Sequence, residues 1–314
     1  MSGARPLHWG PLIGAMCLLV ATGARGDAAP PAADTVAVPT AGHIERLAAF
    51  PSKYVAARNI DVWLPPDYAP GKRYDVVYMH DGQMLFDPTA TWNKKSWDVA
   101  GKLARLIAAG HARPAIVVGI WNNGAMRHAE YFPEKFLPLV PEPLRSQFVA
   151  QALQGKPSSD SYLRFIVEEL KPYVDAHFQT RTERAHTFIM GSSMGGLISI
   201  YAICEYPEVF GGAAALSTHW IGSFEPNAAI PLSAFVYLQD HLPAPDSHRL
   251  YMDHGSKGLD AHYDIDQRFV DQLVLDHGYT KANWESRVFE GADHDELDWS
   301  ARLEVPLQFL LGPR

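Results

Sequence analysis

Gly191-Ser192-Ser193-Met194-Gly195-Gly196 follows the apolar run Thr187-Phe188-Ile189-Met190 and precedes Leu197-Ile198-Ser199-Ile200-Tyr201-Ala202-Ile203. A strand that feeds G-x-S-x-G and then a helix presents the central serine on a sharp turn as a nucleophile. Ser193 is the serine so placed. Gly191 and Gly195 then flank it at positions where a Cβ would meet neighbouring backbone. For Ser192 the flanking positions would be Met190 and Met194. The helix that follows aims the positive end of its dipole at whatever the hydroxyl attacks. An ordinary strand-to-helix turn is the bland reading, because the pentapeptide recurs by chance in Gly-rich chains. The strand before it and the helix after it favour the nucleophile.

A serine hydroxyl needs a base, and the base needs an orienting carboxylate. With this motif they follow in the order Ser, then Asp or Glu, then His. The chain has 14 histidines, so position must choose among them. His294 lies in Gly291-Ala292-Asp293-His294-Asp295-Glu296, directly after the last strand-like run. His219 and His254 also end strand-like runs, but one strand earlier than that order requires. Two acids compete. Asp253 stands at the tip of Leu250-Tyr251-Met252, whereas Asp260 ends the Gly-rich turn after it and gains reach towards His294. Asp260 would serve equally well as a helix N-cap. The tetrahedral oxygen needs two backbone donors. Met194 N–H follows the nucleophile, and Gln83 N–H in His80-Asp81-Gly82-Gln83-Met84 follows an early strand. Alone, that Asp-Gly pair would read as a plain turn.

The elements that must position these groups alternate along the chain. Strands are expected at 55–64, 74–80, 115–121, 187–190, 212–217, 249–253 and 286–290. Helices are expected at 97–109, from Asp160 as cap to about 176 with a kink at Pro172, after Ser193, near 231–241, at 260–277 and at 297–311. This alternation predicts an α/β fold with a mostly parallel sheet covered by helices on both faces. Residues 131–159 are Pro-rich and interrupt the pattern, which fits a cap or substrate-shaping insertion, or an irregular surface loop.

A chain of 314 residues with 47% hydrophobic content is long enough for one large buried core. The formal charge of −8 and the lack of basic runs argue against a nucleic-acid partner. Residues 1–26 read as a secretory signal peptide: Arg5 precedes the apolar stretch Pro11–Thr22, which is too short to span a bilayer. Cleavage is expected near Gly26 or Ala28; removal of residues 1–26 leaves a net charge of −10 and no stable membrane insertion. Residues 27–42 form an Ala/Pro-rich leader, read as a mobile linker, and 43–314 the catalytic domain. Removal of Cys17 with the signal leaves Cys204 alone, so no internal disulfide forms. Cys204 reads as a small buried hydrophobe.

Taken together, the motifs become familiar. Tyr78-Met79-His80-Asp81-Gly82-Gln83 with Leu85-Phe86-Asp87 and Trp97 leads to Val118-Gly119-Ile120-Trp121-Asn122 with Arg127, Glu130-Tyr131 and Pro133. Phe165–Asp175, Met190–Leu197 and Tyr206-Pro207-Glu208-Val209-Phe210-Gly211 complete the set. Over residues 45–312 the chain resembles the esterase family of α/β-hydrolases that includes esterase D, feruloyl and acetyl-xylan esterases, enterochelin esterases and mycolyltransferases. The resemblance implies acyl transfer from small-molecule or carbohydrate esters with no metal or other cofactor. It implies Ser193 as nucleophile, His294 as base, Asp260 as acid, and Met194 and Gln83 as oxyanion donors. Trp121, Asn122, Arg127, Tyr131 and Trp220 fall on loops at the active-site edge and are candidate substrate-binding residues; core packing would explain each of them too. An acyltransferase using a sugar hydroxyl, a binding protein that keeps the fold, and a peptidase are the competing functions.

Overall fold

The computed structural model describes residues 36–223 and 225–313. The segment read as a signal peptide, and the first part of the leader, lie outside them. The described end of the leader is tied to the domain: Val38 N–H donates to Asp87 (3.1 Å) and Trp63 Nε1 to Ala41 O (2.7 Å). A mobile linker is therefore not what residues 36–42 form.

Eight strands make one sheet: β1 (His43–Phe50), β2 (Arg58–Leu64), β3 (Asp75–His80), β4 (Ala115–Ile120), β5 (Thr187–Ser192), β6 (Gly212–Leu216), β7 (Arg249–Gly255) and β8 (Trp284–Phe289). Their order is β1-β2-β4-β3-β5-β6-β7-β8. From β4 to β8 every pairing is parallel, while β1 with β2 and β2 with β4 are antiparallel. The helices are α1 (Val99–Ala108), α2 (Arg127–Tyr131), α3 (Leu144–Gln151), α4 (Ser159–Arg164), α5 (Lys171–His177), α6 (Met194–Glu205), α7 (Ala229–His241), α8 (Asp264–Asp276), α9 (Glu296–Arg302) and α10 (Glu304–Leu311).

The period-2 pattern of the central strands splits the core in two. Val76, Tyr78, Ile116, Val118 and Ile189 face the side covered by α2 and α4–α8. Val77, Met79, Val117, Phe188 and Met190 face α1, α9 and α10. α6 is buried on all sides except at its last residue, Glu205, which explains why it carries almost no polar stripe.

Four local expectations change. The expected strand at 55–64 is preceded by a further strand, β1. The long helix from 160 runs unbroken past Pro172, but Phe165–Leu170 widen into a π turn just before it. Proline has no N–H and crowds the carbonyl four residues back, and the wider turn absorbs both. Asp160 is not the cap: the helix starts after Ser158, and the Asp160 carboxylate instead accepts from Tyr201 OH at 2.5 Å. The 131–159 segment is helical and packed, with Phe132, Phe136, Val140, Phe148 and Leu153 buried in the core shared with α6 and α7.

Candidate active site

Three strand ends on the carboxyl edge carry non-glycine residues with positive φ: Asp81 (57°) after β3, Ser193 (57°) after β5 and Ser217 (46°) after β6. Such conformations cost about 1–3 kcal/mol each and collect where function holds them. At Ser193, ψ is −124°, a sharp bend between β5 and α6. The bend folds the helix start back on the strand so closely that a Cβ on Gly191 would lie 2.9 Å from Gly195 backbone. Only glycine fits there. Ser193 N–H donates to Leu216 O (2.9 Å) and Ser193 O accepts from His219 N–H (3.2 Å), so β6 clamps the bend from one side.

Asp260 and His294 come from two different loops, and glycine again sets the approach. A Cβ on Gly255 would sit 2.2 Å from Ala292 O, and one on Gly258 (φ +54°) 2.0 Å from an Asp293 carboxylate oxygen. Ser256 and Lys257 N–H both donate to Ala292 O at 3.0 Å. The loop after β7 therefore lies directly on the loop after β8. Asp260 sits in the short helical turn Gly258–His262, and its Oδ1 is 2.6 Å from His294 Nδ1. Its Oδ2 accepts from Ser217 Oγ (2.5 Å) and Gly255 N–H (2.6 Å). Burial pushes this carboxyl up, but the hydrogen bonds from His294 and Ser217, with the imidazole's charge, hold it below the usual carboxylate range. Asp253 does not approach His294 by any hydrogen bond. It is fully buried, paired with Arg302 (3.0 Å) and Tyr251 OH (2.9 Å).

Trp299 stands edge-on to the His294 ring at 5.0 Å and fixes its plane. With Nδ1 committed to Asp260, Nε2 is the nitrogen left for chemistry. Among the described residues neither Ser193 Oγ nor His294 Nε2 takes a hydrogen-bond partner, and both residues line one cavity of about 320 Å³. Its floor also includes Met194, Met84 and Trp97. One wall is Asp81, Asn122, Arg127 and His128, and the rim holds Leu259, Glu296 and Trp92, the last 76% exposed.

Arg127 grips Asp81 through two bonds of 2.7 Å, and Asn122 Nδ2 adds a third at 2.7 Å. Burial alone would raise the Asp81 carboxyl, yet the Arg127 guanidinium holds it below its ordinary range. The pair is a built, neutral polar wall. Gln83 lies two residues past the positive-φ Asp81, and its side chain is spent on Asn122 N–H (3.1 Å), leaving its backbone N–H and that of Met194 without an acceptor among the described residues.

Of the five candidate substrate-binding residues, Asn122 and Arg127 line the cavity and three do not. Tyr131 is fully buried, stacked under the Arg127 guanidinium at 5.0 Å. Trp220 is buried and donates to Gln267 (3.0 Å). Trp121 turns towards the sheet edge, where its Nε1 donates to Asp61 (2.8 Å) beneath Arg46. Aromatic side chains have large apolar areas to bury, and here the core took Tyr131 and Trp220. None of residues 131–159 lines the cavity either. Reading the sequence missed Ser217, Trp299 and Arg302. Ser217 ends a strand on the catalytic edge, which was the available signal; the other two carried none.

Two histidines beside the site are held neutral. Burial lowers His80 to about 3 and His219 to about 3, the latter helped by the charge of His294. His80 bonds Tyr162 OH (2.8 Å) and His219 bonds Tyr263 OH (2.6 Å). For each, the unfolded chain takes up a proton below pH 6.5 while the folded one resists until about 3, so stability falls as pH falls through that window. Going from pH 7.5 to pH 5 is expected to remove about 2 kcal/mol per histidine. Urea titrations at the two pH values check this: His80→Gln is expected to lose about that much of the wild-type pH dependence, and an unchanged slope refutes it.

An open, mostly parallel sheet with a serine bend, an imidazole–carboxylate pair and a cavity at its carboxyl edge has the architecture of an α/β-hydrolase. Residues 55–310 match the family described as Putative esterase, and the chain belongs to that family. The chain is 26% identical over 187 residues to an endo-1,4-beta-xylanase/feruloyl esterase of Xylanibacter ruminicola, covering 56% of this chain and 22% of that protein. A solved ferulic acid esterase superposes with a TM-score of 0.61 at 22% identity, over 86% of this chain and 97% of the other. Enterochelin esterase from Shigella flexneri gives 0.61 at 16% identity, over 90% and 61%. The likeness in structure shows the fold, and the family makes the chain an esterase, a carboxylic-ester hydrolase. No group of His, Cys, Asp and Glu suited to a metal ion occurs among the described residues, and no described helix is long and apolar enough to cross a membrane.

Proposed function

We propose that the protein is an exported serine esterase that works through an acyl-enzyme. The observation that carries this reading is the shared cavity. A strained, uncommitted Ser193 and a His294 whose far nitrogen is bound to a buried, ionised Asp260 open into the same small space. His294 Nε2 takes the Ser193 proton as Oγ attacks the ester carbonyl. Met194 N–H and Gln83 N–H receive the negative oxygen, the first as part of the α6 N-terminus. The imidazolium then returns the proton to the leaving alcohol while Asp260 balances its charge. A water, deprotonated by the same nitrogen, releases the acid. Asn122 and Arg127 offer donors to polar groups of the substrate, and Trp92, Trp97 and Met84 offer apolar surface, a division that suits an ester joining an apolar acyl or aryl part to a hydroxylated one. Residues 1–26 would direct export, with 43–314 as the catalytic domain.

One intact-mass measurement on protein recovered from outside the cytoplasm tests both parts. Loss of roughly the first 26 residues supports export. Addition of one phosphonyl group per chain from a fluorophosphonate, located on the peptide that holds Ser193, supports the serine mechanism. A full-length mass, or labelling elsewhere, counts against the respective part.

A further inference from the structure

Ser217 is read from the sequence only as the end of a strand, yet its hydroxyl has a saturated set of partners. Trp299 Nε1 lies 2.9 Å from Ser217 Oγ and Arg302 Nη2 lies 2.7 Å from it. Indole N–H and guanidinium N–H can only donate. Both acceptor positions of the hydroxyl are therefore filled, and its single hydrogen must go to the third neighbour, Asp260 Oδ2, at 2.5 Å. A hydroxyl that usually rotates is here held in one orientation. Gly255 N–H donates to the same carboxylate oxygen, so Oδ2 is fully engaged on the core side and Oδ1 alone faces His294 Nδ1.

Behind this contact lies a second charge. Arg302 is buried, its Nη2 is 3.8 Å from Asp260 Oδ2, and Asp253 neutralises it from the other side at 3.0 Å. Asp253, the rival acid in the sequence reading, is thus the counter-ion that keeps Arg302 in place, and Tyr251 OH holds its second oxygen. The other charged or titratable groups around the pair are His219 after β6, Tyr263 before α8, and Asp293, Asp295, Glu296 and Asp298 around the start of α9, with Lys95 on Asp295. None of these touches the Asp260 carboxylate by a hydrogen bond among the described residues. Besides His294, the carboxylate takes hydrogen bonds from Ser217 Oγ and Gly255 N–H, with the Arg302 guanidinium 3.8 Å away.

We propose that Ser217, locked by Trp299 and Arg302, is a positioning residue that selects which Asp260 oxygen meets His294 and reduces the carboxylate's pull on the imidazole proton. The proposal rests on the reading of Ser193, His294 and Asp260 as the catalytic set. Two opposite demands explain why such a device is useful. Asp260 must hold His294 in one tautomer, but a carboxylate with no other donor would bind the imidazolium too strongly and leave the base protonated at neutral pH. A hydroxyl and a nearby cation on the far oxygen weaken that pull without moving the carboxylate.

The test compares wild-type protein with Ser217→Ala and Ser217→Gly across pH 4–9 on p-nitrophenyl acetate. Both variants remove the hydroxyl and leave Trp299 Nε1–H and Arg302 Nη2–H without that acceptor, and glycine also relieves the positive-φ backbone; circular dichroism melts of each variant therefore accompany the kinetics, and the shape of the pH profile, which loss of folded protein does not displace, is the deciding readout. The expected result for each is a fall in kcat of about 10–100-fold, KM within about twofold, and an acid limb of kcat/KM displaced to higher pH. A residue with only a packing role would lower activity evenly across pH. Unmoved acid limbs in both variants, with or without loss of kcat, overturn the proposal. The control is Ser193→Ala: if that variant turns over the ester normally, the catalytic reading itself fails, whatever Ser217 does.

Discussion

Ser193→Ala is expected to reduce kcat by about 10⁴–10⁶-fold, the largest effect of any single substitution in this protein. The reason is chemical rather than structural. Ser193 Oγ makes no hydrogen bond among the described residues, so alanine removes no supporting contact, only the atom that would carry the acyl group. Its backbone keeps φ +57° with either residue, and both Ser193 backbone bonds to β6 and its loop remain. Thermal stability is therefore expected to stay within about 1 kcal/mol of wild type, which circular dichroism melts can show alongside steady-state kinetics. Residual turnover from the oxyanion donors and binding alone sets the floor. A variant that melts normally and still works within tenfold of wild type would falsify the acyl-enzyme mechanism.

The second large effect separates two aspartates seven residues apart. Asp260→Asn is expected to lower kcat by about 10³–10⁴-fold at pH 7, and the hydrogen-bond geometry says why. An asparagine must choose which end holds the amide nitrogen. The Oδ2 position faces Ser217 O–H and Gly255 N–H, both donors, so an NH₂ group there would oppose two donors at about 2.6 Å. The nitrogen is forced to the other side, against His294 Nδ1. A donor there requires Nδ1 to be the bare nitrogen, and the ring proton moves to Nε2. The base is then turned away from the serine proton. Asp253→Asn makes the contrasting case. It takes a charge from the buried Arg302 and is expected to lower Tm, because an uncompensated buried guanidinium costs about 3–5 kcal/mol. Its kcat is expected to fall far less than that of Asp260→Asn. Measuring kcat and Tm on both variants decides the matter. The reverse pattern, with Asp253→Asn silent in Tm and dead in kcat, exchanges the two roles.

The competing uses of the fold are narrowed by the same experiments. A protein that merely binds esters would survive both substitutions. An acyltransferase would not, and differs only in what accepts the acyl group.

Much of this architecture is written in local pattern. Apolar runs of four to seven residues alternating with helical stretches define a parallel sheet because a strand buried on both faces needs no polar alternation. The bend at Ser193 is also local: Gly191 must be glycine because of a residue four positions on, a distance the chain itself sets. What sequence pattern does not encode is where loops from separate strands meet. In sequence, Asp253 and Asp260 both follow the same strand-like run, and only the reach of the Gly-rich turn favours Asp260. The stacking of the β7 loop on the β8 loop through Gly255 and Gly258, contacts spanning some 35 residues of chain, brings one to His294 and buries the other beside Arg302. Side-chain direction in the loops after strands is similarly undetermined, and so Tyr131 and Trp220 turned inward and Trp121 lay half-buried against Asp61 and Arg46, while Trp92 and Trp97 came to the cavity. Periodicity determined the order of elements, the carboxyl edge and the serine bend, since these depend on neighbours along the chain. The choice of acid, the Ser217–Trp299–Arg302 contact and the cavity wall were decided only by packing, which joins residues whose separation in sequence carries no information about their distance in space.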